Sequence, residues 1–218
     1  MVTIGHVVKR LIDNSQYLHE CLGKGLLNHA YTAVYLKPKV EEELGKEVKA
    51  AAVMMALRRY GAEIKRKYDS KLRFDYRSEV TLKSGIVDIA IRRSETVFAK
   101  LRQLYGSTDY ELGDVLNVIH GNQEISLITS EKNREKILKI LEGEKILHIE
   151  GRLAQLSLRF PKEYIYTPGI ILQLVRVLDW ENINIFEIVS TLTEVNFIIS
   201  ESDSSKGYRA LQGLVSRG

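Results

Sequence analysis

The sequence is poor in residues that would cross-link, interrupt or anchor a chain. Its 218 residues include a single cysteine, which excludes an intrachain disulfide, and three prolines, with no Pro-rich linker. No run of about 18 apolar residues occurs, so a membrane-spanning helix is not expected. The first 15 residues lack the continuous apolar segment of a secretory signal. These absences predict a cytoplasmic protein that has no membrane partner.

Patterns of common catalytic and metal sites are also missing. The five histidines are scattered and show no metal-ligand spacing with cysteine or carboxylates. Neither a GxxxxGK phosphate loop nor a GxSxG nucleophile motif occurs. We therefore expect no enzyme, no catalytic residue, no metal and no cofactor. The remaining alternative is an enzyme that uses basic helices to hold an anionic substrate.

Charge is distributed unevenly along the chain. Residues 1–72 contain 13 Lys and Arg against 8 Asp and Glu, a net charge of +5, whereas the whole chain carries +4. The basic excess therefore belongs to the first third, and it permits a polyanionic partner there.

The first third has the pattern of a helical module. Pro38 suits the first turn of a short helix over residues 38–44, and Gly45 would end that helix in a left-handed conformation. A longer helix is predicted over residues 47–60, followed by Gly61. A short helix, a glycine-containing turn and a longer helix is the order of a helix-turn-helix.

Two functions of this module stay open. Cations on and after the longer helix could neutralise DNA phosphates: Lys46, Lys49, Arg58, Arg59, Lys65, Arg66 and Lys67. However, residues 50–57 are apolar all round the helix, which is typical of a segment buried on every side. The alternative is a structural or dimerising bundle in which the cations form a solvated rim.

The remaining two-thirds predicts a repeated βαββαβ order. Strands are expected at 85–91, 114–119, 124–129 and 145–149, with helices at 95–105 and 133–141. The order recurs with strands at 153–160, 185–191 and 195–200 and helices at 169–180 and 204–215. Leu127 and Ile198, 71 residues apart, are interpreted as equivalent positions. Such an internal repeat predicts two copies of a split βαβ unit, the ferredoxin-like arrangement.

The second copy resembles a known family. Residues 166–208 read YTPGIILQLVRVLDWENINIFEIVSTLTEVNFIISESDSSKGY. The Pro-Gly before an apolar helix, the NINI strand start and the late DxxK helix closely resemble ACT domains at the C-terminus of aspartate kinases. The resemblance implies tandem ACT units and a ligand sensor rather than the kinase itself.

The two copies differ in ways that bear on function. The first has Arg92-Arg93-Ser94 where the second has Thr167-Pro168-Gly169, so the first is expected to lack a working ligand loop. The second lacks a final strand, and an unpaired sheet edge is unfavourable. Residues 73–82 are a candidate to supply that strand, and a neighbouring subunit is the other.

A ligand site is predicted at the start of the helix after Gly169. Backbone N–H groups at a helix start favour a carboxylate, and a glycine there allows a ligand to approach the backbone. The Asn184 amide supplies both a donor and an acceptor for the polar ends of an amino acid. The predicted ligand-binding residues are Thr167, Gly169, Ile170, Asn184 and Ile185. The resemblance implies that the effector binds between two units packed side by side.

The sequence thus predicts an α+β protein with an all-α helical module at 1–72 and two ferredoxin-like ACT units at 73–150 and 151–218. The predicted function is amino-acid-sensing regulation, in which a small amino-acid effector acts on a DNA-binding module of a homodimer or higher oligomer. The alternative is an allosteric or scaffold protein that does not bind DNA but dimerises or binds a metabolic enzyme.

Overall fold

The structure is a computed structural model that describes residues 2–68, 78–106 and 108–216, without the side chains of residues 66–68 and 165. The chain divides into two compact units, Met1–Leu72 and Arg73–Gly218. No helix in the described part is long and apolar enough to cross a membrane.

Residues 2–68 of the first unit form four helices: α1 (Ile4–Asp13), α2 (Gln16–Gly23), α3 (His29–Leu44) and α4 (Ala50–Tyr68). Thr3, Ser15 and Asn28 cap the first three helices with side-chain oxygens, as expected of short polar residues at helix starts. The helix α4 contacts α1, α2 and α3. Its buried face carries Val53, Leu57 and Ile64, and these belong to a single apolar cluster drawn from the four helices.

Two predicted helix boundaries in this unit are wrong. Pro38 does not begin a helix but lies inside the 16-residue α3, so the element before the turn is long rather than short. Gly61 does not end α4. A Cβ at Gly61 would lie 3.0 Å from Cδ1 of Leu22, so the glycine allows α2 to pack closely on α4. Gly45 does end α3 as predicted, at a φ of 63°.

The apolar segment 50–57 is not buried on every side. Val53, Ala56 and Leu57 are buried, whereas Met55 is 49% exposed. The reason is that α4 packs along one face only, so apolar residues on its outer face reach solvent.

Within its described residues, the second unit contains six strands and four α-helices in the order anticipated for a repeat. They are β1 (Glu79–Arg92), α5 (Glu95–Tyr105), β2 (Leu116–His120), β3 (Glu124–Ser130), α6 (Arg134–Ile140), β4 (Ile146–Arg159), α7 (Ile170–Trp180), β5 (Ile185–Ser190), β6 (Glu194–Ser200) and α8 (Ser204–Val215). The predicted α+β class is confirmed. The strands predicted at 145–149 and 153–160 are one continuous strand, β4.

The six strands form one antiparallel sheet in the order β2-β3-β1-β4-β6-β5. Its two central strands are 14 residues long and each serves both copies. The second part of β1, from Ile86, pairs with β3, while its first part pairs with the end of β4, from Glu79 opposite Arg159 to Ser84 opposite Ala154. Residues 79–84 therefore supply the strand that the second copy lacks, as anticipated for 73–82. Residues 73–77 lie outside the described part.

Two irregularities in the pairing of β1 with β4 mark the point where each long strand passes from one copy to the other. The register of β1 against β4 shifts on both sides of Ile86, where Gly85 has a φ of 69° and Arg152 a φ of 53°. Such bulges bend a strand and increase its twist. The bend lies where the chain passes from one copy to the other.

The face opposite the helices carries its own buried cluster. Ile86, Ile128, Leu153 and Ile198 are at most 1% exposed there, with Ile119 and Val189 packed against them. The members fall into pairs that occupy matching positions in the two copies. This cluster therefore joins the copies around an approximate two-fold relation.

The predicted spacing of the repeat is wrong by one residue. Strand β3 starts at Glu124 and β6 at Glu194, 70 residues apart. Leu127 thus corresponds to Phe197 and not to Ile198. A shift of one residue moves a side chain to the other face of a sheet, and Leu127 indeed lies in the cluster under α5 and α6, whereas Ile198 lies on the opposite face.

Candidate ligand site at a helix start

The predicted Gly169 loop is an open helix start. After β4 the chain forms a short 3-10 helix, Lys162–Tyr166, and reaches Gly169 at a φ of 87°, a conformation that favours glycine. Gly169 has no side chain to cap α7, and a Cβ built on it would meet no atom within 4 Å. A side chain at Gly169 would thus enter open space, and the first N–H groups of α7 receive no side-chain cap, as an anion site at a helix start requires.

The neighbours of Gly169 fix the position of this opening. Ile170 is 5% exposed and anchors the first turn of α7 in the core, so it can contribute only its backbone to a ligand. Thr167 is half-buried, and its backbone N–H donates to the Tyr164 carbonyl over 2.9 Å. The Tyr166 ring is exposed beside the loop.

The other two predicted residues lie at the far end of the helix. Asn184 is exposed and directly precedes β5, where Ile185 is half-buried. The helix α7 connects two parallel strands, β4 and β5. Its start therefore lies near the carboxyl ends of these strands, and its end lies near their amino ends. Its 11 residues span about 16 Å. One chain thus does not bring Asn184 to Gly169.

The corresponding helix start in the first copy is already filled. Ser94 caps α5 by accepting a hydrogen bond from the Val97 N–H over 3.2 Å. The Ser94 and Thr96 hydroxyls donate to one carboxylate oxygen of Glu144, over 2.9 and 3.1 Å. The Lys100 ammonium lies 3.0 Å from the other oxygen. These contacts hold a carboxylate at the first turn of α5.

Sequence reasoning missed Glu144. It lies 50 residues from Ser94, in the turn between α6 and β4, and nothing local marks it among neighbouring glutamates. The hydrogen bond from Lys100 lowers the pKa of the Glu144 carboxyl below its ordinary value, with burial opposing and the two hydroxyls adding to the effect.

Side chains of the first copy also pack around α5, between its first turns and the end of β2. The Phe98 ring stacks on His120 with centroids 5.7 Å apart. The Arg93 guanidinium lies 5.4 Å from the Phe98 centroid and donates to the Gly121 carbonyl over 3.3 Å. Of the segment Arg92-Arg93-Ser94, which was expected to replace a ligand loop, Arg93 and Ser94 are engaged in contacts within the first copy.

The sheet face opposite the helices carries, among others, the carboxylates of Asp88, Glu124 and Glu187. Burial raises the pKa of Asp88 above its ordinary value, opposed by a hydrogen bond from the Ser126 hydroxyl. Burial also raises the pKa of Glu187, and the charges of Asp88 and Glu124 raise it further. Glu187 is on β5 and Asp88 on β1, three positions apart in the sheet. On this face Ile119 of β2 and Val189 of β5, from the two outer strands of the sheet, pack against the same buried cluster.

The predicted nucleic-acid residues are exposed where the structure describes them. Lys46 and Lys49 lie in the connection between α3 and α4, and Arg58, Arg59 and Lys65 on the outer face of α4. The side chains of Arg66 and Lys67 lie outside the described part. Within that part, His, Cys, Asp and Glu form no group of three that could hold a metal.

Comparisons with known proteins concern the fold. No protein-family model matches the sequence, and a search of curated proteins finds no match. Among solved structures, the regulatory subunits of aspartate kinase from Thermus thermophilus, in its ligand-free form, and from Thermus flavus are 17% and 18% identical to this chain. Both have a TM-score of 0.50 and match 62% of this chain and 95% of theirs.

The aspartate kinase of Clostridium acetobutylicum is 18% identical, with a TM-score of 0.53, over 67% of this chain and 36% of that one. At these identities the similarity shows a shared fold. Regulatory subunits are matched over almost their whole length. The resemblance seen in the sequence is thus confirmed at the level of the fold of aspartate kinase regulatory regions.

Proposed function

We propose that the protein is an amino-acid-sensing regulatory protein whose effector binds at the start of α7. The observation that carries the proposal is the open, uncapped helix start at Gly169, with a φ of 87° and no atom within 4 Å of a Cβ position. A carboxylate there would accept from backbone N–H groups and meet the positive end of the helix dipole.

Each copy is inferred to be a ferredoxin-like ACT unit. The first copy has the strand order β2-β3-β1-β4, and the second has β5-β6-β4-β1. The two orders are equivalent if the first part of β1 is counted as the last strand of the second copy. The domains are accordingly proposed as 1–72, 73–150 and 151–218, although the boundary at 150 and 151 falls inside β4.

A neighbouring subunit would complete the site. Strand β5 is an outer strand of the sheet, and Phe186 and Ile188 on it are 39% and 41% exposed. Two β5 strands paired antiparallel across a two-fold axis would place α7 beside the other α7 in the opposite direction. Gly169 of one chain would then face Asn184 and Ile185 of the other, which accounts for their separation within one chain.

The effector would act by a shift in population. An amino acid that contacts both chains binds the paired form more tightly than the unpaired form. This difference in affinity is what would shift the population toward the paired form and so affect the helical unit.

DNA is proposed as the target of the helical unit. Arg58 and Lys65 are two turns apart on the outer face of α4, and neither forms an ion pair with another described residue. A double change of Arg58 and Lys65 to Glu should weaken binding to duplex DNA and reduce the slope of log affinity against log salt by about 2. Lys139→Glu with Lys162→Glu, both exposed in the other unit, is the matched control.

A protein partner is the second candidate, favoured by a different surface. Tyr31, Val34 and Tyr35 are exposed at i, i+3 and i+4 of α3, which makes an apolar stripe on one helix face. DNA affinity unaffected by the Arg58 and Lys65 changes would leave this stripe as the output surface.

Thermal-shift measurements with each of the twenty amino acids test the effector site. A ligand that binds only the folded protein raises the melting temperature with concentration. Gly169→Asp should abolish that rise, because it places a side chain and a negative charge at the helix start. Gly25→Asp is the control, since Gly25 also has a positive φ, 72°, and open space around it. An undiminished rise in Gly169→Asp would refute the site.

A further inference from the structure

We propose that Glu144 is a tethered carboxylate that permanently occupies the α5 site of the first copy, so that each chain takes one effector, at α7. The inference rests on the proposed function for the effector at α7. The filling of the α5 site by Glu144 stands on contacts of its own.

The first step is that the Glu144 carboxylate is buried and fully engaged. Its side chain is 6% exposed. One oxygen accepts from Ser94 and Thr96 and the other faces Lys100. Gly143 has a φ of 84°, which turns the chain so that the Glu142 carbonyl also accepts from Lys100. One turn thus presents two acceptor groups to α5, the Glu144 carboxylate and the Glu142 carbonyl.

The second step is that this cradle is specific for an anion. Two hydroxyl donors and an ammonium surround the oxygens, and hydrogen bonds to an ionised acceptor are the stronger kind. The pKa of Glu144 lies below its ordinary value of 4.5 for the same reason, the Lys100 hydrogen bond first. The carboxylate is therefore ionised when it is bound.

The third step is the contrast with the second copy. The first turn of α7 carries Ile170, Ile171 and Leu172, so no side chain of that turn can accept a hydrogen bond from the backbone donors in place of a ligand. Gly169 stands where Ser94 caps α5. The two helix starts share a place in the fold, but one is supplied with a carboxylate from within and the other is open.

Rescue with a free carboxylate tests this inference. Glu144→Ala should lower the melting temperature, and sodium acetate should restore part of the loss in a saturable manner, beyond the effect of sodium chloride at equal ionic strength. Glu142→Ala, an exposed glutamate in the same turn, is the matched control and should gain no more from acetate than the wild type. Equal acetate responses in the two variants would overturn the proposal.

Glu144→Gln provides a second measurement if Glu144→Ala does not fold. Because the folded pKa of Glu144 is depressed, its contribution to stability is present above pH 4.5 and lost as pH falls through the folded value. Lys100 is the charged group that faces it. The stability difference between wild type and Glu144→Gln should therefore shrink below pH 4.5. A difference constant from pH 3 to pH 7 would contradict a bound ion.

Neither measurement uses the Gly169 loop. Acetate rescue of Glu144→Ala without amino-acid binding by the wild type would refute the proposed function and leave the filled site standing. Amino-acid binding at two sites per wild-type chain would refute the filled site and leave the sensor.

Discussion

At the scale of single residues, the carboxylates on the helix-free face oppose folding at neutral pH. The Glu187 side chain accepts no hydrogen bond from a described residue, and the pKa of its carboxyl is raised by burial and by the charges of Asp88 and Glu124. A group with a raised folded pKa costs stability once it must ionise. The pairing of the two copies is thus maintained against this local repulsion.

Glu187→Gln should accordingly stabilise the protein at pH 7. The ordinary pKa of the group is 4.5, so the gain should appear as pH rises through that value and vanish below it, where the wild-type carboxyl is protonated in both states. Urea unfolding of both proteins at pH 4 and pH 7 checks this. Glu194→Gln, in the neighbouring strand β6, is the control. A gain of equal size at both pH values would contradict the account.

At the scale of elements, α8 packs on the sheet through a glycine. A Cβ at Gly207 would lie 2.7 Å from Cδ1 of Leu156 and 3.1 Å from Cδ1 of Ile199. The helix can therefore approach β4 and β6 closely only because this position has no side chain. Gly213, six residues later in the same helix, has no atom within 4 Å of its Cβ position.

The two glycines should respond to alanine in opposite directions. Gly207→Ala should destabilise the protein by about 1–3 kcal/mol through overpacking. Gly213→Ala should stabilise it by about 0.5–1 kcal/mol, since alanine loses less backbone entropy in a helix interior. Chemical denaturation of the two variants measures both effects. A loss of stability in Gly213→Ala equal to that in Gly207→Ala would show that α8 packs differently.

At the scale of the whole second unit, the sharing of strands couples its copies. The first part of β1 completes the second copy, and the rest of β1 belongs to the first. A disturbance near residue 80 should thus reach β6 and α8, which are more than 100 residues later in the chain.

Val80→Asp should show this coupling. Val80 is 6% exposed and pairs with Leu158, so a carboxylate there is buried without a partner and should cost about 3–5 kcal/mol. Hydrogen exchange should increase in β6 and α8 before it increases in β2. Thr81→Asp, the next residue but exposed, should leave exchange in β6 unchanged. Faster exchange confined to residues near 80 would contradict the shared strand.

Local patterns predicted the elements of this unit, and contacts distant in sequence decided the rest. The helix at 95–105 was predictable because its apolar residues recur with helical periodicity, and Gly169 because Pro-Gly precedes an apolar helix. The continuous β4 was not, since Gly151-Arg152 reads as a break between two strands. The role of Glu144 could not be predicted for a similar reason. Its partners Ser94 and Lys100 lie at the start of α5 and within it, and β2 and β3 separate them from Glu144 in the sequence.

The central claim is that the two equivalent helix starts differ, with α7 open to a carboxylate and α5 filled by Glu144. Hydrogen exchange of the wild type tests it most directly, with and without the amino acid that gives the largest thermal shift. The account predicts slower exchange at residues 170–172 and in the partner-facing segment at 184–186, with no change at residues 95–97. Slower exchange at residues 95–97, or none at residues 170–172, would contradict it.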